Sequence, residues 1–237
     1  MATRFYLPSD TTPPTFPPLP FVAPPYASGW HGFSQPLSLY RRRTRTVKAN
    51  TAFETENPGL FLVGTYDIGL RQYVSDPLAA VSIVNPSIKW QIRAQELAAA
   101  DALFTAIAIR VVDRWGSTRG TILGVTRDDT ELVVAPTALT NRAFTSSPAV
   151  SFVAQNHDRL VIEVGIGGFI SNFSGFETRF GDPTASADLP EDDSTTTDLV
   201  PWVEFSTDFQ FDPPPDIAAA VRNSLDVIRA PDRVISY

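Results

Sequence analysis

The sequence contains no cysteine, a single methionine and two histidines among its 237 residues. The absence of cysteine excludes disulfide bonds, thiolate zinc sites and cysteine nucleophiles. His31 lies in a proline-rich segment, and His157 lies in a predicted turn beside Asp158. No G-x-S-x-G motif occurs. The sequence therefore offers little support for nucleophilic catalysis.

Long apolar runs are also missing. No stretch reaches the roughly 18 consecutive apolar residues of a membrane helix. Residues 1–9 lack the apolar core of a secretion signal. We therefore expect a soluble chain that is made in a cytoplasm and has no membrane partner.

The composition is that of a large globular domain, because 43% of the residues are apolar and 11% are aromatic. The net charge of −7 is unevenly distributed. Residues 1–120 carry 12 Lys+Arg against 8 Asp+Glu, whereas residues 121–237 carry 7 against 18. Oppositely charged halves can attract each other inside a fold or across a subunit contact, and ordinary surface charge is the alternative.

Alternating and continuous apolar segments predict an all-β fold. In residues 88–94 the alternation places Ile88, Trp90 and Ile92 toward the core. Gly165, in a predicted core strand, allows a bulge. The turn signals between strands favour a jelly-roll-like antiparallel β-sandwich. The main predicted strands are 88–94, 103–112, 121–126, 150–154, 159–165 and 202–206, of which 103–112 and 121–126 form a hairpin.

Three regions follow from this pattern: a proline-rich arm at 1–37, the β-sandwich at 38–211 and a tail at 212–237. The prolines of the arm disfavour helix, and large apolar side chains stand between them. This composition fits a semi-rigid extended segment that docks on a neighbouring molecule or across its own domain. The aromatic residues expected to make these contacts are Phe16, Phe21, Tyr26 and Trp30.

Residues 41–48 form a basic run, RRRTRTVK, whose partial alternation predicts a strand with an exposed basic face. Such runs often bind phosphate or nucleic acid. This chain is acidic overall and has no second basic patch, so we expect no direct nucleic-acid partner. Arg41, Arg42 and Arg43 are instead predicted to face solvent or another subunit.

The tail is predicted to contain a short amphipathic helix. Asp216 stands at the N-cap position, and Pro231 ends the helical pattern. Apolar residues recur between them at helical spacing. The side chains expected to contact a partner are Ile217, Val221 and Leu225, together with Tyr237 in the apolar end of the tail.

Acidic residues suggest two further chemical sites. The loop after residue 181 has carboxylates that can ligate Ca²⁺, although it lacks EF-hand spacing and a plain acidic loop is the alternative. Its candidate ligands are Asp182, Asp188, Asp192 and Asp193. Glu163 and Glu204 would form a glycosidase pair if their strands were neighbours. Glutamates in alternating strands usually face solvent, however, so we assign no catalytic residue.

Five segments resemble a group of phage-borne structural proteins. They are MATRFYLPS at 1–9, LRQYVSDPL at 70–78, DRLVIEVG at 158–165, RFGDPTASADL at 179–189 and DLVPWVEFS at 198–206. The resemblance implies a virion component with a jelly-roll-like β-sandwich, assembled in the host cytoplasm. It assigns no catalytic or binding residue.

The predicted function is that of a non-enzymatic virion structural protein, either a capsid decoration (cement) protein or a neck- or tail-attached component. Its apolar terminal segments are expected to dock on other copies of the chain and on other virion proteins. The alternative is a carbohydrate-binding β-sandwich module that contacts sugar through exposed aromatics such as Trp115. We expect no cofactor, with Ca²⁺ as the one candidate ion.

Overall fold

The computed structural model describes residues 2–9, 24–33, 41–47, 51–56, 63–134, 140–171, 175–182 and 201–211. Within these residues the protein is all-β, in two six-stranded sheets and a two-stranded ribbon. None of the described segments forms a helix long and apolar enough to cross a membrane. The strands are β1 Thr3–Tyr6, β2 Gly32–Phe33, β3 Arg41–Arg43, β4 Thr51–Glu56, β5 Gly64–Val74, β6 Val81–Val84, β7 Ile88–Glu96, β8 Ala102–Val112, β9 Thr118–Arg127, β10 Thr140–Ser146, β11 Ser151–Ala154, β12 Arg159–Ile170, β13 Phe176–Asp182 and β14 Trp202–Phe205.

The first sheet, which we call the β7 sheet, is organised around β7. The alternating sequence of this strand buries Ile88, Trp90 and Ile92, as predicted. β10 pairs along one edge of β7, while β14 and β13 share the opposite edge one after the other. β1 extends this sheet beyond β14, and β4 extends it beyond β13.

The second sheet, the β12 sheet, has β12 at its centre between β5 and β8. β8 continues into β9, which confirms the predicted hairpin. β2 and β3 pair in parallel with the other edge of β5. The β5–β12 register shifts at Gly165, as predicted. A side chain at Gly165 would collide with the carbonyl oxygen of Ile68 and with the Trp30 indole, so only glycine fits there.

Side chains from both sheets form one buried cluster. Trp90 and Phe205 enter it from the β7 sheet, and Ile109 and Ile162 enter it from the β12 sheet. Each fully buried side chain of this size contributes about 1.5–3 kcal/mol relative to exposure. Phe5 also joins the cluster and packs edge-to-face on Phe205, with 5.7 Å between ring centroids. This contact joins β1 to β14, the first and last strands that the structure describes.

A buried ion pair also links the sheets. Arg71, in β5, donates from Nε and Nη2 to Glu56 Oε1, in β4, at 2.9 and 2.6 Å. The Arg71 guanidinium lies 4.4 Å from the ring centroid of Phe180, in β13. The charge is therefore both neutralised and packed between the two sheets.

Some expectations are not met. The sequence ELAAAD at residues 96–101 predicts at most one or two helical turns, but these residues hold the end of β7 followed by a turn. The sequence ELVVA at residues 131–135 predicts a further strand, but the described part, residues 131–134, has only a single bridge between Val134 and Glu96. The all-β antiparallel class is confirmed, whereas the jelly-roll connectivity stays a prediction. The helix expected in 212–237 lies outside the described residues.

Parts of the predicted N-terminal arm belong to the sheets. β1 pairs with β14, and β2 pairs with β5. Residues 3–6 and 32–33 of the 1–37 segment therefore belong to the β-body. The domain boundaries at 37/38 and 211/212 stay predictions.

Candidate functional site: the strap over Glu163

Residues 24–33, which we call the strap, cross the face of the β12 sheet that points away from the shared core. The chain turns at Gly29, whose φ of 117° is a conformation that favours glycine. At the end of the strap, His31 N donates to Asp67 O at 2.8 Å, and Asp67 N donates to His31 Nδ1 at 2.9 Å. This part of the arm therefore docks on its own domain, which was one of the two predicted alternatives.

Glu163 is the centre of the contact between the strap and the sheet, and its exposure is 0%. Its Oε2 accepts hydrogen bonds from Ala27 N and Trp30 Nε1, both at 2.9 Å. Its Oε1 accepts from Gln72 Nε2 at 2.8 Å and from Arg110 Nη2 at 2.7 Å. Both carboxylate oxygens are thus satisfied, and the arginine compensates the buried charge.

The sheet register explains why these side chains meet. Glu163 is directly opposite Gln72 in β5, and its neighbour Val161 is opposite Arg110 in β8. Residues two apart on a strand share a face, so the three polar side chains converge on the face away from the core. The expectation that Glu163 faces solvent is wrong, because the strap covers that face.

Arg41 belongs to the same cluster. β3 pairs in parallel with β5, which places Arg41 opposite Gln72. Arg41 Nε donates to Gln72 Oε1 at 2.6 Å, and its Nη2 donates to Pro24 O at 3.0 Å. Burial lowers the pKa of Arg41, an effect that nearby Tyr26 and Glu163 oppose. The prediction of an exposed position is wrong for this residue because the strap lies over it.

Arg42 is also buried, on the other side of β3, where its Nη2 lies 3.6 Å from Glu54 Oε2. Arg43 is 52% exposed and pairs with Asp76. The predicted basic face is therefore limited to Arg43 among these three arginines. A contact between the run and a partner stays a prediction.

Two predicted aromatic residues lie in the strap. The ring of Trp30 packs on Gly165, where any side chain would displace it. Tyr26 is half-buried, and burial raises its pKa to about 12 against the opposing effect of Arg41. Sequence reasoning missed Gln72 and Arg110 as partners of Glu163. The available signal was a polar residue at the same-face position of three neighbouring strands.

Glu204 does not approach Glu163 in the sheets. It belongs to β14 of the β7 sheet and accepts a hydrogen bond from Arg4 Nε at 3.0 Å. The Arg4 guanidinium in turn lies 4.0 Å from the ring centroid of Trp202. The two glutamates are in different sheets and each has its own arginine, so the glycosidase arrangement is not formed.

Three of the ion pairs join the basic first half of the chain to the acidic second half. The pair between Arg110 and Glu163, at 2.7 Å, is buried on both sides. Among the described residues, the pairs of this kind are Arg110–Glu163, Arg119–Asp158 and Arg4–Glu204. Attraction between the two halves was predicted either inside the fold or across a subunit contact. These pairs show attraction inside the fold.

The remaining predicted site residues are not described by the structure. Asp182 ends β13, but nothing is described of its side chain. Among the described residues there is no group of three His, Asp or Glu side chains that would hold a metal ion. The Ca²⁺ site stays a prediction. The other residues outside the described ranges are Phe16, Phe21, Asp188, Asp192, Asp193, Ile217, Val221, Leu225 and Tyr237.

Comparison with known proteins gives structural similarities only. No family model and no curated protein matches the chain. A CocE/NonD family hydrolase from Staphylococcus aureus aligns with a TM-score of 0.43 at 8% identity, over 86% of this chain and 36% of the hydrolase. The infectious bursal disease virus structure of the Gx strain aligns with a TM-score of 0.29 at 14% identity, over 76% and 48%. The VP2 subviral particle of that virus aligns with a TM-score of 0.28 at 12% identity, over 75% and 48%. The chain thus spans about a third of the hydrolase and about half of the viral chains.

Proposed function

We propose that the chain is a non-enzymatic virion structural protein, a capsid decoration protein or a neck- or tail-attached component. In this proposal the two sheets form a jelly-roll-like rigid body, and segments 10–23 and 212–237 attach it to other copies and to other virion proteins. The observation that carries the proposal is the docking of the strap, an extended proline-rich segment held on a β-sheet by specific polar contacts.

The strap contacts match the chemistry of a proline-rich segment. Proline has no N–H to donate but keeps its carbonyl acceptor. The sheet accordingly supplies donors: Arg41 Nη2 binds Pro24 O at 3.0 Å, and Arg110 Nη2 binds Pro25 O at 2.6 Å. β2 then adds to the edge of β5 by backbone pairing. Edge pairing by an extended segment is also a general mode of binding between protein chains.

The composition of the remaining terminal segments supports the same role. Segment 10–23 contains PPTFPPLPFV, and the tail contains three consecutive prolines followed by apolar residues. Apolar side chains exposed to water are unfavourable, so a partner surface is expected for those of both segments. The resemblance of five sequence segments to phage-borne structural proteins favours a virion as the location of that partner.

The test is incorporation into particles by variants that spare the β-body. Truncation of residues 1–30 is unsuitable, because it removes β1 and uncovers Glu163. We would replace residues 10–23 by a Gly/Ser segment of equal length and, separately, delete residues 212–237. Each variant is expected to keep the melting temperature of the parent protein and to lose co-sedimentation with virions from a producing culture.

An exposed substitution outside the basic run and outside both terminal segments, Val63→Ser, serves as the control and should co-sediment normally. The proposal is wrong if both terminal variants, shown to be folded by circular dichroism, are found on particles at the level of the control.

A further inference from the structure

The tip of the β8–β9 hairpin holds a tryptophan in a fixed position. Asp113 Oδ1 accepts hydrogen bonds from Trp115 N at 2.8 Å and from Ser117 N at 2.9 Å. Asp113 N donates to Ser117 O at 2.9 Å, and Gly116 supplies the positive φ of 81° that the turn requires. These bonds order the backbone of the turn, so the position of the Trp115 Cα at the hairpin tip is well defined.

Trp115 is exposed at the hairpin tip, and core packing does not explain a tryptophan at this position. Its side chain is 48% exposed, whereas Trp90 and Trp202 are buried in the body. Tight turns favour small polar residues and glycine, and nothing in the turn geometry calls for an indole. A rigid exposed tryptophan is a large apolar surface that a ligand can cover at small entropic cost.

A pocket of about 300 Å³ opens beside this tryptophan. It lies between the hairpin tip and the β11–β12 turn, and its volume is at the lower end for ligand sites. The residues that line it besides Trp115 are Asp113, Arg114, Arg119, Gln155, Asn156, His157 and Asp158.

The two loops around the pocket are joined by an ion pair. Arg119, at the start of β9, binds both carboxylate oxygens of the buried Asp158. Asp158 Oδ2 also accepts a hydrogen bond from Gln155 N at 2.8 Å, and His157 N donates to Leu78 O at 2.9 Å. The wall opposite Trp115 is thus fixed to the body, and the pocket is preformed.

Polar groups remain available at this wall. Asn156 uses its Oδ1 to accept from Ala80 N at 2.7 Å, which leaves its amide donors directed elsewhere. The guanidinium of Arg114 lies 5.0 Å from the Trp115 ring centroid and forms no ion pair with a described residue. The pocket therefore combines one apolar ring face with amide and guanidinium donors.

We propose that this hairpin-tip pocket binds a saccharide. A pyranose ring presents C–H groups on its face and hydroxyl groups around its edge. The ring face would pack on Trp115, while Gln155, Asn156 and Arg114 would bind the hydroxyl or carboxylate groups. The site is separate from the strap and from both terminal segments, so it can act together with the attachment proposed above or without it.

Saturation-transfer NMR on the full chain tests the proposal, with glucose, galactose, N-acetylglucosamine and glucuronic acid as separate probes at millimolar concentration. At least one sugar should receive saturation on its ring protons. Trp115→Ala should weaken its binding about tenfold or more, because the stacking surface is removed. If the bound unit is acidic, Arg114→Ala should weaken the binding of glucuronic acid more than the binding of the neutral sugars. If the bound unit is neutral, the variant should weaken the binding of all the sugars by similar factors.

Phe169→Ala is the matched control, because Phe169 is an aromatic residue of β12 with 41% exposure. This variant should bind sugar as the parent protein does. The proposal is overturned if no probe receives saturation, or if Trp115→Ala binds as well as the parent. Equal losses in Trp115→Ala and Phe169→Ala would also overturn it, since they would indicate non-specific contact with exposed rings.

Discussion

The strap site, which is the Glu163 cluster under residues 24–33, and the hairpin-tip pocket both lie on the β12 sheet and both contain a tryptophan and an arginine. The strap site is buried, whereas the pocket is open to solvent. Glu163 is covered by Trp30 and neutralised by Arg110, and both of its oxygens are occupied. At the hairpin tip, Trp115 is open to solvent, and Arg114 lies against its ring without an acidic partner among the described residues. An arginine and a tryptophan thus stabilise the fold at one site and present a surface at the other.

The difference between the two sites lies in what happens when one side chain is removed. In a closed polar cluster, the loss of one group leaves another group buried without a partner. The folded state then incurs the full desolvation penalty of that group, and the protein loses stability. In an open pocket water replaces the lost group. Substitutions at the strap site should therefore change stability, while those at the open side chains of the hairpin-tip pocket, Trp115 and Arg114, should change binding alone.

The largest effect is expected for Arg110→Met. This change leaves the Glu163 carboxylate buried without its counter-charge, which typically costs about 3–5 kcal/mol. Urea unfolding followed by circular dichroism would measure the loss. The double variant Arg110→Met with Glu163→Leu also removes the carboxylate and leaves Arg41 as the remaining charge of the cluster, so part of the stability should return. A loss below about 1 kcal/mol in the single variant would show that the cluster is not closed in solution.

The next effect concerns the strap itself. Trp30→Ala removes the ring that packs on Gly165 and the donor to Glu163 Oε2. Because the side chain is only partly buried, we expect a loss of about 2–3 kcal/mol, below the range for fully buried tryptophans. Trp30→Phe keeps most of the packing and should lose about 1 kcal/mol for the missing hydrogen bond. Equal stability of Trp30→Ala and the parent protein in thermal unfolding would contradict a docked strap.

Glu96 is an intermediate case between the two sites, a carboxylate that is buried but has no arginine or lysine partner among the described residues. Its exposure is 1%, and its described hydrogen bond, from Leu103 N, is long at 3.4 Å. Burial raises its pKa from 4.5 to about 7. Since the folded-state pKa is raised, the folded protein binds the proton more tightly, and stability falls as the pH rises from about 4.5 to about 7.

The variant Glu96→Gln should remove this pH dependence. Discounted for solvent screening, the gain at about pH 8 should be on the order of 1–2 kcal/mol relative to the parent protein. Urea unfolding across the pH range would measure it, with Glu204→Gln as a control in a partly exposed ion pair. Parallel stability profiles for Glu96→Gln and the parent protein would show that Glu96 ionises normally.

The sequence was sufficient to predict the all-β class and the strands of the core. Alternation in 88–94 identified the buried face, and the glycines of β12 identified the bulge at Gly165. Alternation shows only that the two faces of a strand differ. It does not show which face another segment covers, and for this reason the environments of Glu163 and Arg41 were wrongly predicted.

The hairpin-tip pocket shows a second limit. The hairpin and its tip residue Trp115 were predictable from local turn chemistry. The opposite wall, residues 155–158, follows a different strand and reaches the hairpin only because β12 pairs with β8. A site made by two loops that are distant in sequence depends on the sheet order, which local patterns do not determine.

The smallest effect on stability is expected at the hairpin tip and completes the comparison of the two sites. Trp115→Ala removes an exposed ring that packs on no core residue, so the free energy of unfolding should stay within about 0.5 kcal/mol of the parent value. Asp113→Ala, two residues earlier, should cost about 1 kcal/mol because its carboxylate holds two backbone N–H groups of the turn. Urea unfolding of both variants gives the contrast. A loss of 2 kcal/mol or more in Trp115→Ala, on the order of a core truncation, would mean that the indole supports the fold. The distinction between a closed stabilising site and an open binding site would then fail at the residue on which it most depends.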